Sequence, residues 1–288
     1  NMPGYTIGLE AGIAHLILER PQSGNALGAG FWNGLAPDIS ALDRSGEVRA
    51  MVLSSGGRNF CAGMDLDEFA GGIPEPDSPG ARESFYHLAL SLQETFSCLE
   101  RARFPVFAAI QGACLGAGLE LAAACDLRYA TRDSYFRIEE INTGIMADVG
   151  ALQRLPKILP EPVVKEMAFL GETLHADEAA QHGFVTRLAD TPDAAIKLAM
   201  AAADQVCRKA PVAIAGTKAA LQWARDHSVA DSLEWSARTQ SALWSTHDIF
   251  AALRARKART APLFEPLLAK PVLGGSTSSP GGGDPQPD

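Results

Sequence analysis

Apolar positions in the first 55 residues recur with period two, then at helical spacing, then as one short compact run. Tyr5–Leu9 and Ala14–Leu18 alternate and are joined by Glu10-Ala11-Gly12, which predicts a strand pair. Arg20-Pro21 ends the second run, and Phe31–Asp43 carries an apolar stripe with helical periodicity. Ala50–Ser54 is compact, almost wholly apolar and closed by Ser55-Gly56-Gly57, the pattern of a buried strand. Asp67–Arg82 is polar and broken by Gly71-Gly72, Pro74, Pro76 and Pro79-Gly80, which predicts a mobile loop. Ser84–Arg101 returns to a helical pattern, and Pro105–Ile110 is a buried strand running into a glycine turn. Gly118–Ala124 starts a helix and Asp126–Ala130 reads as a strand. From Val149 the pattern is helical almost to Lys257. Strands alternating with helices, then helices alone, predict an α/β sheet domain followed by a helical region. Residues 271–288, rich in Gly, Ser and Pro, predict a disordered tail.

Composition narrows the function. At 288 residues and 47% hydrophobic, the chain is long enough for a large core. A formal net charge of −9 argues against nucleic acid or an anionic membrane surface as the main partner. Cys61, Cys98, Cys114, Cys125 and Cys207 are scattered and form no CxxC pair, the usage of a reducing compartment. The histidines lack metal-ligand spacing, so no metal site is expected. No apolar run approaches a membrane span, and the first residues lack a basic-then-apolar signal pattern, so a soluble cytoplasmic protein is expected.

Candidate chemistry gathers at two glycine turns and three carboxylates. Gln111-Gly112-Ala113-Cys114-Leu115-Gly116-Ala117-Gly118 joins a strand to a helix, yet Leu121 stands where a dinucleotide fingerprint needs its third glycine. No Gly-Lys-Ser/Thr follows either, which excludes a nucleoside triphosphate cradle. Close approach of a ligand carbonyl to main-chain N–H groups remains, with the helix start adding a favourable dipole. Asn59-Phe60-Cys61-Ala62-Gly63-Met64-Asp65-Leu66 is a second turn of this kind. Two such turns serve equally as tight strand-to-helix connections. Glu120, Glu140 and Asp148 lie close to the glycine turn in otherwise apolar sequence, the setting for proton transfer beside a stabilised oxyanion. Each also has a plain structural use, Asp148 as a helix N-cap and the two glutamates as surface charges. Cys61 and Cys114 read as small buried residues rather than nucleophiles.

Arg20-Pro21-Gln22-Ser23-Gly24-Asn25-Ala26-Leu27, Phe60 to Leu66, Pro105-Val106, Gln111 to Gly118 and Gly183-Phe184-Val185 together resemble the crotonase (enoyl-CoA hydratase/isomerase) superfamily, over about Thr6 to Phe264. The resemblance implies a spiral of ββα units in residues 1–200, and a helical C-terminal region in 201–270 that forms trimers or dimers of trimers. It implies an acyl-CoA thioester as substrate, with no cofactor beyond that CoA. The oxyanion donors fall on the N–H groups of Met64 and Ala117, with Ala62, Gly63, Asp65, Leu66 and Gly116 lining the CoA-binding turns. Ala117 departs from the family's usual glycine. Glu120 and Glu140 match the hydratase glutamates, whereas Asn142 to Pro156, with Asp148, resembles the dienoyl-CoA isomerases, which usually carry aspartate at the position of Glu120. The implied isomerisation divides the proton work, Glu140 at the carbon beside the thioester and Asp148 at the distal carbon. Enoyl-CoA hydration and a non-catalytic acyl-CoA-binding role are the other readings. The basic residues Arg254, Arg256, Lys257 and Arg259 read as a solvated helical face, or as CoA-phosphate contacts from a neighbouring subunit, with Phe250 and Phe264 near the adenine.

Overall fold

The protein is described from a computed structural model covering residues 2–70 and 78–272. The tail expected from 271 onward therefore lies outside the described residues beyond position 272, as does the centre of the expected loop, 71–77. On either side of that centre the chain is helical, in α2 (Leu66–Ala70) and from the first turn of α3 (Pro79–Arg101). Pro79 occupies the first helical position and the Ser78 side chain accepts the Ala81 N–H, so the proline that reads as a breaker is a helix start.

A six-stranded sheet carries the core, in the order β1 (Tyr5–Glu10), β2 (Ile13–Leu18), β3 (Ala50–Ser55), β4 (Val106–Ile110), β6 (Leu127–Thr131) and β9 (Arg187–Ala189). Only β1 and β2 pair antiparallel; every later pairing in this sheet is parallel. A second sheet of β5 (Ala113–Leu115), β7 (Tyr135–Arg137) and β8 (Leu174–His175) stands beside it. Strands β3 and β4 are buried along their whole length because both faces are covered. Met51, Leu53, Val106, Ala108 and Ile110 join the main core, in which Phe31, Leu35 and Ile39 of α1 (Ala29–Ser45) are also buried. Ala50, Val52, Phe107 and Ala109 pack instead against Ala195, Ala199 and Ala203 of α8 (Pro192–Cys207).

The helical stretch expected after Val149 is interrupted. Between α5 (Ala151–Arg154), α6 (Glu161–Lys165), α7 (Ala176–Gln181) and α8 lie β8 and β9, and β9 extends the large sheet. These strands of two and three residues are too short to register as alternation, as are β5 and β7, which merge into the glycine turn and its sequel. The helical region continues as α9 (Pro211–Asp226), α10 (Val229–Leu243) and α11 (Thr246–Ala258). Buried Lys218 fastens α9 to the body, donating to the carbonyls of Leu99 and Phe104 and pairing with Asp126 at 2.9 Å.

Candidate active site

Strand β4 delivers the chain into the first glycine turn, and Gln111 pins that exit by donating to the carbonyls of Ser55 and Gly57. The second turn leaves β3 and runs alongside: Phe60 N–H donates to Gln111 O, Cys61 N–H to Ala113 O, and Leu115 N–H to Cys61 O. The approach is close enough to exclude any side chain at Gly118, where a Cβ would meet the Cys61 Cβ and carbonyl oxygen at 2.7 Å. A Cβ on Gly63 would sit 3.7 Å from the Ala117 nitrogen, so the two turns expected to act together do meet. Leu27 N–H donates to Gly63 O and Asp65 N–H to Leu27 O, which turns the intervening Met64 N–H away from Leu27. Ala117 opens α4 (Ala117–Ala124), and its N–H is one of the orphan donors at a helix start. Neither the Met64 nor the Ala117 N–H has an acceptor among the described residues.

The Arg20–Leu27 segment is the brace for this arrangement. Arg20 pairs with Asp65 at 2.7 Å and donates to Ala26 O, Ala62 N–H reaches Gly24 O, and Asn25 donates to the carbonyls of Gly56 and Asn59. The Asp65 carboxylate is thereby committed to Arg20, whose bond holds it below the usual carboxylate range. Leu66 is exposed at the start of α2. Met64 also lines a cavity of about 130 Å3, apolar on the side of Leu27, Trp32, Phe69, Leu88 and Leu92 and polar where Asp65, Glu68 and Ser91 border it.

The three carboxylates lie close enough for their charges to act on one another, with Glu140 beside the glycine turn. Glu120 lies on α4 and is 1% exposed, not a surface charge. Burial, then the charge of Glu140, raises its pKa to about 8, against the pull of N–H bonds from Ala151 and Val149 and with a further push from Asp148. Glu140 is half-buried, and its Oε1 lies 3.2 Å from where a Gly116 Cβ would stand, beside the glycine turn. Its Oε2 is buried without a partner among the described residues. Burial, and then the Asp148 charge against the pull of a backbone bond, raises the Glu140 pKa; burial raises that of Asp148.

Asp148 is not the N-cap that its position invites. The cap of α5 is Gly150, and the N–H groups of Val149 and Ala151 are both taken by Glu120 Oε1 at 3.1 Å. The loop is tied down further by Gln93, which donates to Asp148 O, and by Arg154, which donates to Val149 O. Gly150 is required there: its φ is +137° and a Cβ would collide with the Arg154 guanidinium. The loop is thus held by other residues, and the Asp148 carboxylate has only its own backbone N–H as a partner among the described residues.

A family model described as enoyl-CoA hydratase/isomerase matches residues 8–265. The chain belongs to this family. It is 38% identical over 247 residues to the mitochondrial Delta(3,5)-Delta(2,4)-dienoyl-CoA isomerase of Mus musculus, covering 84% of this chain and 76% of that protein. The peroxisomal protein of that name from Arabidopsis thaliana is 33% identical over 262 residues, covering 90% and 94%. The crystal structure of enoyl-CoA hydratase from Mycobacterium tuberculosis H37Rv matches with a TM-score of 0.79 at 30% identity, covering 91% of this chain and 99% of that one. The fold is thus the crotonase fold expected from the sequence. Those two isomerases carry organelle names, whereas the cysteine pattern led to an expectation of cytoplasm. Among the described residues no helix is long and apolar enough to cross a membrane.

Sequence reasoning gave the holders no role: Arg20, Asn25 and Arg154 stand in the quoted resemblance motifs without one, and Gln93 was missed altogether. Cys61 and Cys114 are fully buried and their thiol pKa values are pushed up by that burial, to about 12 for Cys61, as expected of inert side chains.

The raised pKa of Glu120 makes stability pH-dependent. The folded state keeps this proton between about pH 4.5 and about 8, where the unfolded chain releases it. Stability from this group is therefore full below pH 4.5 and is lost as pH rises toward 8. Glu120→Gln keeps an oxygen acceptor for Val149 and Ala151 but no titrating proton. Its melting temperature is expected to gain on the wild type steadily across that window in a thermal series. A gap that stays constant with pH would show that Glu120 titrates normally.

Proposed function

We propose that this protein is an acyl-CoA isomerase that converts a 3,5-dienoyl-CoA to a 2,4-dienoyl-CoA. The observation that carries the reading is Glu120 taking the loop N–H groups in place of Asp148, which leaves Asp148, close enough for its charge to act on Glu140, as a second acid/base group. Moving a double-bond pair along an acyl chain removes a proton beside the thioester and returns one several carbons away. Two separated carboxylates reach both carbons where one does not. Glu140 takes the proton near the thioester, and Asp148 delivers one to the distal carbon.

The dienolate formed between these steps carries its charge on the thioester oxygen. The free N–H groups of Met64 and Ala117 stabilise it, each by roughly 3 kcal/mol on the scale of oxyanion-hole donors. Ala62, Gly63, Asp65, Leu66 and Gly116 form the turns against which the CoA lies, and no cofactor other than that CoA takes part. The raised pKa values of Glu140 and Asp148 bring both closer to working pH, where a group serves as base and as acid in one cycle.

Enoyl-CoA hydration by Glu120 and Glu140 is the second reading, favoured by the charge coupling of these two groups and the unpartnered Glu140 Oε2. A purely binding role fits poorly, because unpaired buried carboxylates are costly without a task. Incubation with a 3,5-dienoyl-CoA and with an enoyl-CoA, following diene absorbance and water addition in parallel, separates the readings. Isomerisation is expected to be the faster; hydration alone would overturn the first reading, and neither reaction would leave the binder.

The cytoplasm is the proposed compartment, on the unpaired cysteines. We also propose self-association as a trimer or a dimer of trimers. Leu221, Val229, Leu233, Trp244, Phe250 and Leu253 expose large apolar surface on α9 to α11, more than a solvated helical region is expected to leave open. Arg254, Arg256, Lys257 and Arg259 are exposed and available to the CoA phosphates of a neighbouring subunit. A solution mass of a single chain by light scattering would exclude the assembly.

A further inference from the structure

An isomerase with two separate acid/base groups does not return to its starting state by chemistry alone. After one turnover in the proposed direction Glu140 holds the proton taken from the carbon beside the thioester, and Asp148 has lost the one given to the distal carbon. One proton must leave Glu140 and one must reach Asp148 before the next cycle.

Behind Asp148 is a polar cavity of about 350 Å3, lined on its inner side by Asp148, Ser97 and Arg154. Its mouth is formed by Gln153, Arg225 and Asp226, all exposed. It shares no lining residue with the cavity beside Met64. Arg154 is 8% exposed, and its Nη2 is held by Ser97 at 3.0 Å and Glu100 at 2.7 Å. Its Nε is buried with no acceptor among the described residues. A buried guanidinium N–H needs one, and the space next to it is polar and large enough for on the order of ten waters at about 30 Å3 each.

We infer that this cavity is a water-filled proton entrance to Asp148, separate from the path by which the acyl chain enters. The inference rests on the isomerase reading above. Bulk acid gives a proton to a cavity water, that water gives one to the Asp148 carboxylate, and the neutral carboxyl is restored. Glu140 releases its proton to bulk water once product has left, so protons balance over the cycle. The competing arrangement is internal return, in which Glu140 hands its proton back to Asp148 by way of Glu120.

A 3,5-dienoyl-CoA deuterated beside the thioester, turned over in ordinary water, distinguishes them. The product is expected to carry solvent hydrogen at the distal carbon; deuterium carried over to that carbon would overturn the entrance. Gln153→Trp closes the exposed mouth without touching the core and is expected to slow steady-state turnover roughly 10-fold while leaving the first turnover unchanged. Steady-state rates unchanged in this variant, or first and later turnovers slowed equally, would sink the proposal. Absence of diene conversion even in the wild-type first turnover would overturn the isomerase reading itself, and the entrance with it.

Discussion

Replacing Glu140 by Gln is expected to lower dienoyl isomerisation by about 10²–10⁴-fold, the contribution of a positioned acid/base group. The amide keeps the size of the side chain and removes only its ability to take a proton. Folding is expected to be intact, because Oε2 has no hydrogen-bond partner to lose and burial already disfavours the charge. Initial rates from diene absorbance, with melting curves as control, check this. KM is expected to change little, since the loss falls on a step after binding. A variant retaining full activity would remove Glu140 from the mechanism.

Asp148→Asn is expected to cost isomerisation a similar factor of about 10²–10⁴ while sparing any water addition. The loop keeps its position in this variant: Glu120 holds the N–H groups of Val149 and Ala151, and Gln93 holds the carbonyl of Asp148, none of which involves the altered side chain. A selective loss therefore reports chemistry rather than a displaced loop. Equal loss of both reactions in parallel assays would contradict the division of labour between Glu140 and Asp148.

Much of the fold is legible in the chain. The alternation of β1 and β2, the apolar runs of β3 and β4 and the stripe of α1 each encode a buried face, and a buried face is a local property of sequence. Strands of two or three residues escape, because they present too few positions to establish a period; β8 and β9 hide in a stretch that reads as helix. Pro79 misleads for a different reason, since proline both breaks a helix and starts one.

The site divides along the same line. Sequence by itself determined the candidate groups: two glycine turns that let backbones approach, and three carboxylates near them. Tertiary structure decided their partners. Glu120 reaches the loop N–H groups 29 and 31 residues onward, and that contact takes over the capping that the position of Asp148 invites. Arg20 meets Asp65 across 45 residues, and Arg154 meets Glu100 across 54. Periodicity along a chain records which side faces the core, whereas the partner of a buried charge depends on where distant segments close upon one another.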